Sequence, residues 1–173
     1  MRKLMAAAAL VAVMGVAAQA ASAQTTGVKA FQFGPQVSFM TQSVGLGVGA
    51  RVVYNGLGTQ LKVPGLAVYG SFDYFFPGSS YGVSPKYWEI NANATYDLRI
   101  SGLTGVVPYV GAGLNYAHSS VSFLGLSASA SKTGLNILGG GRFNLGSSLK
   151  AFGEARLELS GGGAFALTFG LLF

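Results

Sequence analysis

Three groups of residues in this chain have types and spacings that chemistry uses. The first is His118, the sole histidine, two positions before Ser120. On one strand face such a pair could serve as base and nucleophile in acyl transfer, which also needs a third group to orient the imidazole. The second is Glu154 and Glu158, a carboxylate pair of the kind used in general acid–base work. On a strand they stand about 13 Å apart. Glycoside hydrolysis uses roughly 5–9.5 Å, and Arg156 lies between them. The third is the set of charges itself. The only acids are Asp73, Glu89, Asp97, Glu154 and Glu158, and the arginines beyond Arg2 are Arg51, Arg99, Arg142 and Arg156.

Other chemistries find little footing. One histidine, no cysteine and acids scattered along the chain give no metal-ligand spacing, so no metal or cofactor is expected. Gly45-Leu-Gly47-Val-Gly49 lacks the strand–turn–helix setting of a phosphate loop. Lys29, Lys62, Lys86, Lys132 and Lys150 are spread singly, without the basic aromatic patch that nucleic-acid binding requires.

The elements that must position these residues are strands. Met1-Arg2-Lys3, the apolar run Met5–Ala18 and Ala21-Ser22-Ala23 read as a secretory signal peptide over 1–23, leaving one domain over 24–173 for export. Charged residues make up 9% of the chain, against about 25% in soluble domains. Beyond the signal no apolar stretch reaches the ~20 residues of a membrane helix. A chain too poor in charge for water and too interrupted for helices points to a closed β-barrel.

Period-two alternation predicts eight strands, near 30–41, 44–55, 65–76, 87–100, 108–118, 133–145, 148–159 and 163–173, with no helix. In the fourth, Trp88, Ile90, Ala92, Ala94, Tyr96 and Leu98 oppose Glu89, Asn91, Asn93, Thr95, Asp97 and Arg99. All five acids and the four arginines fall on the less apolar parity of their strands. The apolar face is therefore expected to meet lipid and the charged face to line the interior: an all-β, eight-stranded antiparallel transmembrane barrel in up-and-down order. With the N-terminus periplasmic, the external connections fall at 42–43, 77–86, 119–132 and 160–162. Within 119–132, Val121, Phe123, Leu124 and Leu126 fit a strand extension better than a free loop. The connection 56–64 is long for a periplasmic turn. Aromatic girdles are expected from Tyr74, Phe76, Tyr87 and Trp88 at one interface and from Tyr54, Tyr96, Tyr109, Phe143 and Phe173 at the other. The last strand presents Phe165, Leu167, Phe169, Leu171 and Phe173 to lipid, an alternation that leaves Leu172 on the polar side without an account.

Pro108-Tyr-Val-Gly-Ala-Gly-Leu-Asn-Tyr116 resembles the fifth-strand motif of small outer-membrane barrels of the OmpA/OmpX-like superfamily. Phe152-Gly-Glu-Ala-Arg156 resembles its penultimate strand, and the row ending in Phe173 is similar to the signal read by the outer-membrane assembly machinery. The resemblance implies a barrel in a Gram-negative outer membrane, with the lipid bilayer and that machinery as partners, and little about activity. His118 with Ser120 is similar to the lipid A deacylases, whose pair faces lipid. No acid stands nearby to orient the imidazole here, and an interfacial histidine in a serine-rich stretch is the simpler expectation.

An eight-stranded barrel is just wide enough to be filled by side chains. Arg51, Asp73, Glu89, Asp97, Arg99, Arg142, Glu154, Arg156 and Glu158 are expected to form an interior ion-pair network, since buried charges persist when paired. The inward glycines, Gly45, Gly47, Gly49, Gly111, Gly113 and Gly140, would make room for the arginines. The expected function is structural or surface-interaction, in a monomer that is no enzyme. The alternatives are a narrow pore for ions or small solutes and a lipid-modifying enzyme using His118 and Ser120.

Overall fold

Alternation lets each strand bury one face and show the other, and the chain resolves the two faces by closing on itself. The computed structural model describes residues 30–42, 44–78, 84–123, 126–146, 148–159 and 163–173. Its strands are β1 (Phe31–Met40), β2 (Gly45–Tyr54), β3 (Leu66–Phe75), β4 (Ser84–Asp97), β5 (Val106–Phe123), β6 (Leu126–Asn144), β7 (Lys150–Glu158) and β8 (Ala164–Leu172). Each pairs antiparallel with the next, and β8 returns to β1 to close the barrel. The expected signal segment 1–23 and the turn 160–162 lie outside the described residues, as do parts of the connections at 42–43, 77–86 and 119–132.

Parity is kept around the whole wall. Phe39, Leu46, Phe72, Ile90, Leu114, Ile137, Leu157 and Phe169 face outward and are exposed, whereas Gln36, Arg51, Asp73, Glu89, Asn136, Glu154 and Arg156 face inward and are buried. An apolar exterior around a polar interior is the arrangement a bilayer demands, because lipid offers polar groups no partners. The strands tie every interior ladder to its neighbours, which leaves no edge within the wall.

Two elements differ from the sequence expectation. Residues 56–60 form a one-turn helix, α1 (Gly56–Gln60), which fills the long 56–64 connection. Gln60 Nε2 donates to Tyr54 Oη at 2.8 Å, pinning the turn to the barrel rim. The second is length. β5 and β6 pair in register from Val106–Phe143 to Phe123–Leu126, so both strands run past the expected bounds 108–118 and 133–145, and the connection 119–132 is mostly the strand extension that its apolar residues suggest. The Ser and Ala alternation over 127–131 carries too little apolar signal to set where the strands end.

Candidate functional site

The interior is the one place where the chain concentrates polar chemistry, and it is built in three layers. In the middle, Arg51 from β2 reaches Glu154 of β7 through two parallel bonds of 2.9 Å each, Nη1 to Oε2 and Nη2 to Oε1. The hydroxyls of Tyr69 and Tyr109 donate to the same carboxylate at 2.7 and 2.9 Å. The guanidinium lies between the rings of Tyr69 and Phe152, 3.9 and 4.2 Å from their centroids. Its Nε donates to Gln36 Oε1 at 3.0 Å. A bidentate pair fully supplied with donors is the form in which buried charges are tolerated.

Gln36 extends this layer toward the hairpin end. Its Nε2 donates to both oxygens of Asp73 at 2.8 Å, and Ser38 Oγ adds another bond of 2.8 Å. Beyond it, Arg156 bonds Glu89 and, at 3.2 Å, Glu158. Asn91 Nδ2 donates to Glu89 at 2.8 Å, and Asn136 Nδ2 to Asn91 and Asn93 at 2.9 and 3.2 Å. Several buried atoms of this outer layer have no hydrogen-bond partner among the described residues: Glu89 Oε2, Asn93 Nδ2, Asn115 Oδ1, Asn136 Oδ1, and Nε and Nη1 of Arg156. The third layer, at the end where β1 begins and β8 finishes, is Arg142 bonded to Asp97 at 2.7 Å and to Thr95 at 3.2 Å. Below the middle layer Val53, Ala67, Leu138 and Leu172 close an apolar floor with the rings of Tyr69, Tyr109 and Phe152.

Eight of the nine charged residues singled out from the sequence thus take part in one of these layers. Arg99 does not: β4 ends at Asp97, and Arg99 is exposed beyond it. Tyr109, expected in a girdle, instead points inward, where it is 2% exposed. Tyr87 also turns inward and meets Phe75 edge-on at 5.5 Å. Leu172 sits in the apolar floor, which accounts for an apolar residue on the polar parity. Glycine makes room chiefly for other groups than arginine. A Cβ at Gly47 would strike the Phe75 ring, at Gly140 the Tyr109 ring, and at Gly49 the Asp73 carboxylate. Sequence reasoning passes over Gln36 and Ser38, neutral residues on inward parity. β1's alternation of Gln32, Gln36 and Ser38 with Phe31, Val37 and Phe39 is the available signal.

On the outer surface Trp88 gathers an aromatic cluster with Phe72, Tyr116 and His118, at centroid distances of 6.1, 5.7 and 5.3 Å. Tyr74 and Phe76 meet at 5.4 Å. Toward the other rim Tyr54 meets Phe31 at 4.8 Å, while Tyr96 and Phe143 are exposed. Along the closing strand Phe165, Leu167 and Phe169 are exposed, with Leu171 and Phe173 half-buried. His118 Nδ1 bonds Ser131 Oγ at 2.8 Å across the hairpin; Ser120 stands opposite Ser129.

A meander of eight strands with charges inside and aromatics outside is a membrane barrel by construction, and comparison gives it a family. The profile of the outer membrane protein beta-barrel domain matches residues 6–161. The chain belongs to that family. As a member of the outer membrane protein beta-barrel domain family, it resides in the outer membrane of a Gram-negative envelope, embedded in its lipid bilayer. Neisserial surface protein A has a similar structure, with a TM-score of 0.61 at 20% identity over 85% of this chain and 98% of that one. Ail, the attachment invasion locus protein of Yersinia pestis, follows at 0.56 and 19%, covering 82% and 93%. A major outer membrane protein of Thermus thermophilus gives 0.62 and 14%, covering 83% and 97%. At these identities the likeness establishes the fold of this outer-membrane barrel. No curated protein matches the chain closely enough to count as a relative.

Proposed function

We propose that this outer-membrane barrel is a non-catalytic surface-interaction protein. In this reading it is exported with a signal segment over 1–23, assembled through its closing strand and monomeric. Its interior acts as a plug. The observation that carries the surface role is the uneven pairing of the long hairpin. β5 is covered by β4 up to Ser122, opposite Ser84, whereas β6 pairs with β7 only from Asn136, opposite Glu158. Residues 126–134 of β6 therefore present a free strand edge among the described residues, rising beyond the wall. Unpaired backbone donors and acceptors in a row are a template for an added strand. Lys132 is the charge that this edge carries, enough to discourage indiscriminate pairing. Two of the structurally similar proteins are named for surface location and attachment, which supports the same reading.

The plug reading rests on the Arg51–Glu154 layer, where two charged groups, two tyrosines and Phe152 fill the section. The lipid-modifying reading has less support, because His118 Nδ1 is engaged by Ser131 and the acids lie on the inner face. Cells displaying the barrel, compared with cells displaying a variant in which 120–130 is replaced by a short Gly-Ser turn, test the proposal. Adhesion to protein-coated surfaces should fall with the trimmed variant while heat-dependent gel mobility persists. Equal adhesion by both, or a large steady conductance of the native barrel in planar bilayers, would overturn it.

A further inference from the structure

On the outward face, where the wall gives way to the hairpin, the register sets two rows across three strands. Trp88, His118 and Ser131 make one row, and Lys86, Ser120 and Ser129 make the next. The rows are about 7 Å apart along a strand, and the first sits in the aromatic belt that marks a membrane interface. Lys86, Ser129 and Ser131 are exposed, and Trp88, His118 and Ser120 half-buried, so the patch is open to a ligand.

His118 is fixed in orientation. Its ring stacks on Trp88 at 5.3 Å and 27°, and Nδ1 bonds Ser131 Oγ at 2.8 Å. With that hydroxyl donating to Nδ1, the ring proton rests on Nε2, which bonds nothing among the described residues. Lys86 Nζ, His118 Nε2 and the hydroxyls of Ser120 and Ser129 thus form a group of donors. The other charges nearby lie on the inward parity. Asp73, Glu89 and Glu158 are at most 4% exposed, and Lys132, opposite Ala117, lines the interior cavity. On the outward face Lys86 therefore has no carboxylate to offset it.

The same strands carry a second feature in line with the first. Farther from the hairpin, Gly70, Ala92, Ala94 and Ala112 floor a lipid-facing depression of about 600 Å³, flanked by Val68 and Leu114. Ala92 follows Trp88 by four residues, about 13 Å along the strand. That is within the ~15 Å depth of one leaflet, half of the hydrocarbon core. Donors at the headgroup level above an apolar depression suit the two ends of a lipid. A phosphate monoester brings close to two negative charges and three acceptor oxygens. Seated over Ser120, it has Lys86 and Ser129 on the strands to either side, each about 5 Å away.

We propose that this face binds one lipid bearing a phosphate monoester. Lys86, Ser120, Ser129 and His118 Nε2 hold the phosphate, and one acyl chain lies over Ala92 and Ala112. The site uses outward side chains and is independent of the backbone edge of β6 and of whatever that edge pairs with.

The test is native mass spectrometry of the folded barrel released from detergent, titrated with dioleoyl phosphatidic acid, dioleoyl phosphatidylglycerol or inorganic phosphate. One saturable adduct is expected with phosphatidic acid, about fivefold tighter than with phosphatidylglycerol, the worth of one charge at a membrane surface. Lys86→Met should weaken it at least about tenfold, as loss of a charge-assisted hydrogen bond does. His118→Phe, which keeps a ring on Trp88 and removes Nε2, should weaken it about threefold. Ala92→Leu, which fills the depression without touching a charge, should also weaken it. Lys62→Met, exposed at the opposite rim, should leave it unchanged. Gel mobility of unboiled samples identifies the folded variants. Equal retention of the two lipids would overturn the proposal, as would equal losses in Lys62→Met and Lys86→Met. Unchanged affinity in a folded Lys86, His118 or Ala92 variant, or displacement of the lipid by an equal concentration of inorganic phosphate, would do the same.

Discussion

Glu154 receives two bonds from Arg51 and one each from Tyr69 and Tyr109, so replacing it tests the whole middle layer. Glu154→Met strands Arg51 in a section where it is 3% exposed. Breaking a buried pair from one side costs about 3–5 kcal/mol. Arg51 would retain Gln36 and its two ring faces, each ring worth about 0.5–2 kcal/mol, which holds the loss near the lower limit. Arg51→Met leaves the carboxylate with two tyrosine donors, worth roughly 1.5–3 kcal/mol apiece, and a similar loss of about 3 kcal/mol follows. The double variant removes both charges and fills the space with apolar chains of similar volume, so its loss should stay below about 2 kcal/mol. Denaturant unfolding in detergent micelles measures these values, followed by fluorescence of Trp88, the sole tryptophan. Additive losses, with the double variant near about 6 kcal/mol, would refute the claim that the two charges are held chiefly by one another. Substituting both by alanine, which empties the section, should raise conductance in planar bilayers if this layer is the plug.

Leu172→Ala should cost about 2–5 kcal/mol in the same unfolding assay, because its side chain is 1% exposed within the apolar floor; a loss like that of Leu171→Ala would contradict the inward placement. His118→Ala should leave the acylation pattern of the lipid A around the protein unchanged, as judged by mass spectrometry, and a changed pattern would restore the enzymatic reading.

The wall is legible from the sequence because a transmembrane strand must alternate wherever lipid meets one face and polar side chains the other. Glu89-Ile90-Asn91-Ala92-Asn93 states both faces in five residues. Where that requirement lapses, legibility lapses with it. The hairpin beyond the membrane alternates Ser with Ala over 127–131, both small, so its apolar residues suggest an extension of the strands without giving its length. Arg99 keeps the parity of its strand in sequence after the strand itself has ended at Asp97. Tyr109 is amphipathic, suited equally to a rim or to a buried carboxylate in need of a donor, and its partner Glu154 is supplied by a strand 45 residues away. The balance of charge within each layer is equally hidden, since it depends on which strands bring their residues to the same height.

Because the chain's acids are enclosed by the wall or paired at its rim, the protein presents an uneven face to its surroundings. Lys86 and Lys132 are exposed toward the hairpin end, and no carboxylate offsets them there: Glu158, the acid of that end, is 4% exposed. Folding thus works as a charge separator, hiding the anions with three arginines and displaying the lysines at the hairpin end, so the electrostatic character of that end exceeds what the composition conveys. Such a surface is drawn to phosphate-bearing headgroups and acidic macromolecules, over a range set by the Debye length, about 8 Å at physiological ionic strength. Unfolding would release the carboxylates together with Arg51, Arg142 and Arg156, leaving a net positive chain whose cations are no longer gathered at one end apart from the acids.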